Sequence, residues 1–178
     1  MTDIPYRIAL IVGAGSGISA SFARRLAAAG LRVGLAARNV DKLGELASET
    51  GAVTFAVDAS DPAGVARMFA EADELLGEPD IVHYNASARA HGPIAELDPE
   101  AVRKAIEISA FGGFLTVREA ARRMIPHGRG AILLTGASAS VRAIRIPPPL
   151  RWASSRCAAW RKARRANWGR KASMSPIS

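Results

Sequence analysis

The chain has 178 residues, 49% of them hydrophobic and 22% charged, the length and balance of one soluble globular domain with a core of its own. No apolar run is long enough to span a bilayer, and Met1-Thr2-Asp3-Ile4 lacks the basic start of a signal peptide, so a cytoplasmic protein is expected. The single cysteine, Cys157, excludes an internal disulfide framework and a cysteine-built metal cage; His83, His91 and His127 lack ligand spacing, so they read as surface or loop residues and no metal site is expected.

Tyr6 to Val12 is an apolar run of the kind that forms a strand buried on both faces of a parallel sheet. Ile18 to Ala29 carries Phe22, Ala23, Leu26 and Ala27 at helical spacing and stops at Gly30. Leu31 to Ala37 predicts a second strand, Asp41 to Thr50 a helix ended by Gly51, and Ala52 to Val57 a third strand. Asp61 is placed to cap the next helix, with Pro62 at its first position, and that helix runs to about Leu76. Beyond the turn Gly77-Glu78-Pro79, Asp80 to Tyr84 predicts a fourth strand. Pro99 to about Met124 carries one long helix or two abutting ones; Pro126-His127-Gly128 ends it, and Gly130 to Thr135 predicts a fifth strand. Such alternation requires parallel strands joined by crossovers with helices on both faces, so the expected fold is an α/β doubly wound sheet. Asp98-Pro99-Glu100, Arg122, Arg123 and Arg129 read as a turn and solvated helix faces.

The net charge of +8 is unevenly spread. Ten of the 24 Lys and Arg residues fall in 142–178, where there is no Asp or Glu, so the other 14 face all 16 acidic residues. Residues 1–141 therefore read as a slightly acidic globular domain, and 142–178 as a basic tail outside its native packing.

Between the first strand and the first helix the chain reads Val12-Gly13-Ala14-Gly15-Ser16-Gly17-Ile18-Ser19. A dinucleotide pyrophosphate needs glycine in such a bend, both for positive φ and to leave no Cβ between backbone and phosphate. The helix start at Gly17-Ile18 offers it N–H groups and a partial positive charge. A merely tight turn is the simpler reading of the glycines alone; their place after the first strand of a βαβ unit points to a nucleotide. The second strand ends Ala36-Ala37-Arg38-Asn39, with no carboxylate to accept from a ribose 2′-OH and an arginine placed to pair with a 2′-phosphate. NADP is therefore expected over NAD, the alternative being that Arg38 is an ordinary solvated arginine. Asp58, at the end of the third strand, either meets the adenine edge or simply caps the strand.

These residues resemble a short-chain dehydrogenase/reductase over residues 6–141. The family's glycine motif, TGxxxGxG, resembles Val12 to Ser19, with Val12 and Ser19 in place of the outer threonine and glycine. The NAG motif after the fourth strand is Asn85-Ala86-Ser87. The resemblance implies a Rossmann-like sheet, incomplete at the C-terminus, and NAD(P)-dependent oxidation or reduction of an alcohol or carbonyl. It implies a cofactor site of Gly13, Gly15, Ser16, Gly17, Ile18, Arg38, Asp58, Ala59, Asn85 and Ala86. The helical asparagine of the family's catalytic tetrad falls on Ser109, and the catalytic serine on Ser138, with Ser140 the second choice. Pairing into a dimer or tetramer through the helices holding Ser109 and Phe114 is also implied for the parent.

One part of the pattern is missing. The family's YxxxK supplies a tyrosine that moves the hydroxyl proton and a lysine that lowers its pKa and holds the nicotinamide ribose. Here the two tyrosines are Tyr6 and Tyr84, both upstream and both read as core or strand residues, and neither Lys162 nor Lys171 has a tyrosine four residues before it. The composition break near Arg142 coincides with that loss and fits a shift of reading frame. Joining the third base of each codon to the first two of the next, from Arg142 on, permits GYPNSAPFAMGKFALRGLAQS and then AARELGPEGIHVSHI. That peptide resembles the family's lysine helix and the strand after it. Three steps are forced by the code, and all three fit: glycine across Trp152-Ala153, leucine across Asn167-Trp168 and glycine across Trp168-Gly169. Even this frame puts phenylalanine where the tyrosine belongs.

The resulting expectation is an NAD(P)-dependent oxidoreductase by descent, catalytically impaired in this chain, with an apolar fifth-strand edge left exposed. A non-catalytic NADP-binding module is the first alternative. The second is nucleic-acid binding through the tail, where Trp152, Trp160 and Trp168 stand among arginines; an aberrant segment is the simpler reading of it. Neither a nucleic-acid nor a membrane partner is expected.

Overall fold

Short apolar strands separated by amphipathic helices can bury both in one way, as a sheet sandwiched between two helical layers. A computed structural model describes residues 6–136 in that arrangement. The strands β1 (Ile8–Val12), β2 (Arg32–Ala37), β3 (Val53–Ala56), β4 (Ile81–Tyr84) and β5 (Ala131–Leu134) form one parallel sheet in the order β3-β2-β1-β4-β5. Val12, the last residue of β1, is level with Ala36 on one side and Tyr84 on the other, so the strand ends that carry the loops of interest lie together. Ser138, Ser140 and the 142–178 segment lie outside the described residues.

The helices are α1 (Ile18–Ala28), α2 (Gly44–Thr50, entered through a 3₁₀ turn at Asp41–Leu43), α3 (Pro62–Leu75), α4 (Pro99–Ile106) and α5 (Gly112–Met124). Because neighbouring strand residues face opposite ways, Ala9 and Ile11 pack with Ala23, Leu26, Leu43 and Leu46 of α1, α2 and its entry turn. Leu10 and Val12 pack on the other face with Val65, Phe69, Leu115 and Met124 of α3 and α5. Leu10, Ile11 and Phe69 have at most 1% of their surface exposed, and each contributes roughly 1.5–3 kcal/mol through burial.

Local chemistry sets the element boundaries. The Asp61 carboxylate accepts from the backbone N–H of Ala63 and Gly64, both at 3.0 Å, with Pro62 in the first turn of α3. Asp98 caps α4 in the same way through Glu100 and Ala101, with Pro99 following. The long helical stretch is continuous but not regular: Glu107–Phe111 forms a π-helical turn between α4 and α5. Just beyond it the helix presses on the sheet at Gly112, where a Cβ would stand 2.5 Å from both the Ala59 carbonyl oxygen and the Tyr84 hydroxyl. Tyr84 is buried on β4, and its hydroxyl donates to the carbonyl of Ile108 within the π turn.

Two charged or polar side chains differ from the expectation that they are solvated. His83 is a buried strand residue, because β4 is covered on both faces. Its ring meets Phe22 edge-on at 5.0 Å, and its Nε2 bonds Thr135 Oγ1 at 2.8 Å. Arg123 is 14% exposed, clamped by Asp73 at 2.7 Å and Glu119 at 3.2 Å, with its guanidinium 4.9 Å from the centre of the Phe69 ring. Arg122 and Arg129 do keep to the surface, paired with Glu119 and Asp80. Leu133 on β5 is 40% exposed, the outermost strand on that side among the described residues.

The burial of His83 has a consequence in solution. Burial lowers its pKa below the ordinary imidazole value of about 6.5, so below that pH the unfolded chain takes up a proton that the folded chain refuses. The stability His83 contributes is complete above about pH 6.5 and declines as pH falls toward the lowered folded value. Urea midpoints are expected to drop on going from about pH 7 to pH 5, and His83→Gln to remove part of that slope. An unchanged slope in the variant would exclude His83 as its source.

Candidate functional site

The sheet order turns around between β1 and β4, and above the carboxyl ends of β1 to β4 opens a cleft of about 640 Å³. Such a switch point is where open α/β sheets hold ligands. The loop after β1 makes the near wall. Gly13 adopts φ +82°, and its N–H and that of Ala14 both donate to the Ala36 carbonyl, at 2.8 and 2.9 Å. A Cβ at Gly13 would lie 2.1 Å from the backbone nitrogen of Ala86, so this glycine is required by packing against the loop after β4. Gly15 and Gly17 are different: no atom comes within 4 Å of a Cβ at either, and neither has positive φ. Their backbones are bare toward open space.

Gly17 is the N-cap of α1 and no side chain caps that helix, leaving its first N–H groups for a ligand. The turn is locked from behind. Asn85 Nδ2 donates to Ser19 Oγ at 2.7 Å and to the Gly13 carbonyl at 3.3 Å, and Ser19 Oγ donates to that carbonyl at 3.2 Å. Ser19, where the family motif has glycine, is thus buried and structural, a role its place in the motif did not disclose.

Gly13, Gly15, Ser16, Arg38, Asp58, Ala59, Asn85 and Ala86 line the cleft. Gly17 and Ile18 lie at the start of α1 outside that lining, with Ile18 64% exposed. Asn39, Lys42, Ser87 and Ile108 line it as well and were not among the expected cofactor residues, although Asn39 and Ser87 close the two quoted motifs and Lys42 is a second cation four residues after Arg38. Ser109 sits in the π turn beside Ile108, where its Oγ accepts from the Ala88 N–H at 3.1 Å and donates to the Ala88 carbonyl at 3.2 Å. It thereby ties the helix to the loop after β4.

The charges gather at the β2–β3 end. Asp58 Oδ1 accepts from Ser60 Oγ at 2.6 Å and from Ser60 N–H at 2.9 Å, and these bonds, helped by nearby Arg38 and Lys104, hold its carboxyl below the usual carboxylate range. Arg38 and Lys42 are exposed and in no ion pair among the described residues. A bare glycine backbone and exposed cations in one cleft, with an uncapped helix start beside it, suit a ligand with a central pyrophosphate. The ionisable side chains lining the cleft are Arg38, Lys42 and Asp58, from the loop after β2, the turn before α2 and the loop after β3.

This arrangement is that of a doubly wound α/β protein with a cleft at the switch point of its sheet. A family model described as short chain dehydrogenase matches residues 7–147, and the chain belongs to that family. It is 33% identical over 134 residues to sorbitol dehydrogenase of Cereibacter sphaeroides, which covers 74% of this chain and 52% of that protein. A crystal structure of a short-chain type dehydrogenase/reductase from Mycobacterium marinum superposes with a TM-score of 0.84 at 27% identity, over 92% of this chain and 69% of that one. An actinorhodin polyketide ketoreductase variant solved with NADPH superposes with a TM-score of 0.73 at 27% identity, over 79% and 56% of the two chains. The chain spans about half the length of the curated relatives it matches.

Proposed function

We propose that this chain binds a nicotinamide dinucleotide, NADP in preference to NAD, and that it derives from an oxidoreductase of carbonyls or alcohols whose proton-transfer step it no longer performs well. The observation that carries the reading is one cleft lined by bare Gly15 and by exposed Arg38, with the open start of α1 beside it. When bound, the nicotinamide supplies or takes up a hydride. Gly15 and Gly17 let main-chain N–H groups approach the pyrophosphate, and α1 stabilises its charge. Arg38 pairs with the 2′-phosphate, while Asp58, kept ionised, accepts from the adenine amino group. Asn85 and Ser19 hold the turn in the shape this needs. Ser138 steadies the reacting oxygen and Ser109 positions the loop after β4, but no tyrosine follows Tyr84 to move the hydroxyl proton.

The test is equilibrium titration of the full chain with NADPH and with NADH, followed by turnover on a panel of ketones and secondary alcohols. NADPH is expected to bind at least about tenfold more tightly, and turnover to fall about a hundredfold or more below a tyrosine-bearing relative. Failure to bind either nucleotide would overturn the cofactor reading; turnover at the relative's rate would overturn the impairment.

A further inference from the structure

Tyr84 stands where three elements meet behind the cleft. It ends β4 with 3% of its surface exposed and does not itself line the cleft. Its ring lies against the start of α5 at two glycines. A Cβ at Gly112 would stand 2.5 Å from the Tyr84 hydroxyl, and one at Gly113 would stand 3.5 Å from the ring carbons Cδ1 and Cε1. Gly112 is pressed equally hard by the carbonyl oxygen of Ala59, a residue that does line the cleft.

The hydrogen bonds of the π turn show what the hydroxyl does. In a regular α-helix the Gly112 N–H would donate to the Ile108 carbonyl, four residues back. Here it donates to the Glu107 carbonyl, and the Ile108 carbonyl accepts from the Tyr84 hydroxyl. A side chain from the sheet thus takes the place of a main-chain donor, and the helix carries one extra residue at that turn. Removing that extra residue would rotate Ile108 and Ser109 by about 100° around the helix axis relative to α5. These two residues face the site: Ile108 lines the cleft, and Ser109 holds both the N–H and the carbonyl of Ala88. A return to regular helix would also deprive the buried Tyr84 hydroxyl of this acceptor, so tyrosine favours the π turn and phenylalanine would not.

We infer that Tyr84 is a positioning residue, whose hydroxyl holds the π turn and so keeps Ile108 in the cleft wall and Ser109 on the loop after β4. Its effect on binding rests on the nucleotide reading above; its effect on the turn does not.

Tyr84→Phe keeps the buried ring and removes only the hydroxyl. Without nucleotide, amide exchange of the full-length variant is expected to be about fivefold faster at Ala88, with β1 to β3 unchanged. NADPH and NADH are both expected to bind about fivefold more weakly, by the same factor, because the wall that shifts serves both. In an Ile108→Ala background the same substitution is expected to change affinity by less than about twofold, since the side chain it positions is gone. A residue that contributed to stability alone would not show that coupling. Unchanged exchange at Ala88, unchanged affinity in a chain that binds, or equal weakening in both backgrounds would each overturn the role of Tyr84. If the parent chain binds neither nucleotide, the cofactor reading fails, and exchange at Ala88 decides the role of Tyr84 by itself.

Discussion

Gly13→Ala is expected to destabilise the chain by about 3 kcal/mol or more, enough to unfold much of it near body temperature. Two costs add. The residue holds φ +82°, a conformation that an L side chain adopts only under strain, and the new methyl group would fall 2.1 Å from Ala86 N and 2.4 Å from its Cα. The obstacle is backbone, so no side chain can swing aside. Gly15→Ala provides the contrast: its φ is ordinary and its Cβ meets nothing within 4 Å, so stability is expected to hold or rise slightly. Nucleotide affinity is nevertheless expected to fall, because the methyl group enters the space a phosphate would use. Urea unfolding of both variants, with NADPH titration of Gly15→Ala, checks the pair. Equal stability of Gly13→Ala and the parent would contradict the packing at the turn.

Arg38→Asp is expected to invert the cofactor preference. On the proposed reading it removes the guanidinium that would pair with a 2′-phosphate and puts a carboxylate at the end of β2, where one would accept from a ribose 2′-OH. Binding of NADPH is expected to weaken about a hundredfold or more through lost pairing and new repulsion, while NADH tightens or holds. If both nucleotides weakened by the same factor, Arg38 would be supporting the loop and not reading the phosphate.

What the sequence disclosed was local. Asp61-Pro62 and Asp98-Pro99 mark helix starts because a capping carboxylate and a ring-fixed φ act within a few residues, and the structure uses both. The glycine bend announces itself in the same way, although only Gly13 needs positive φ; Gly15 and Gly17 serve by leaving the backbone uncovered. What stayed hidden depended on distant partners. Nothing near Arg123 shows that Asp73, fifty residues away on α3, will clamp it, and nothing near His83 shows that Phe22 and Thr135 will enclose it. The π turn at Glu107–Phe111 lacks a local signal as well. It accompanies the close approach of Gly112 to Ala59 and Tyr84, a contact between elements that are remote in sequence. Lys42 is the intermediate case, visible as a charge but placed at the cleft only by an Asx turn at Asn39 and the 3₁₀ turn that ends in the buried Leu43.

The most direct test of the cofactor cleft is amide hydrogen exchange of the full chain with and without NADPH. Slowed exchange is expected in residues 13–19, 38–42, 58–60 and 85–87, with the remainder of the sheet unchanged. Protection absent from these four segments, or confined to other parts of the chain, would contradict the assignment of the cleft above β1 to β4.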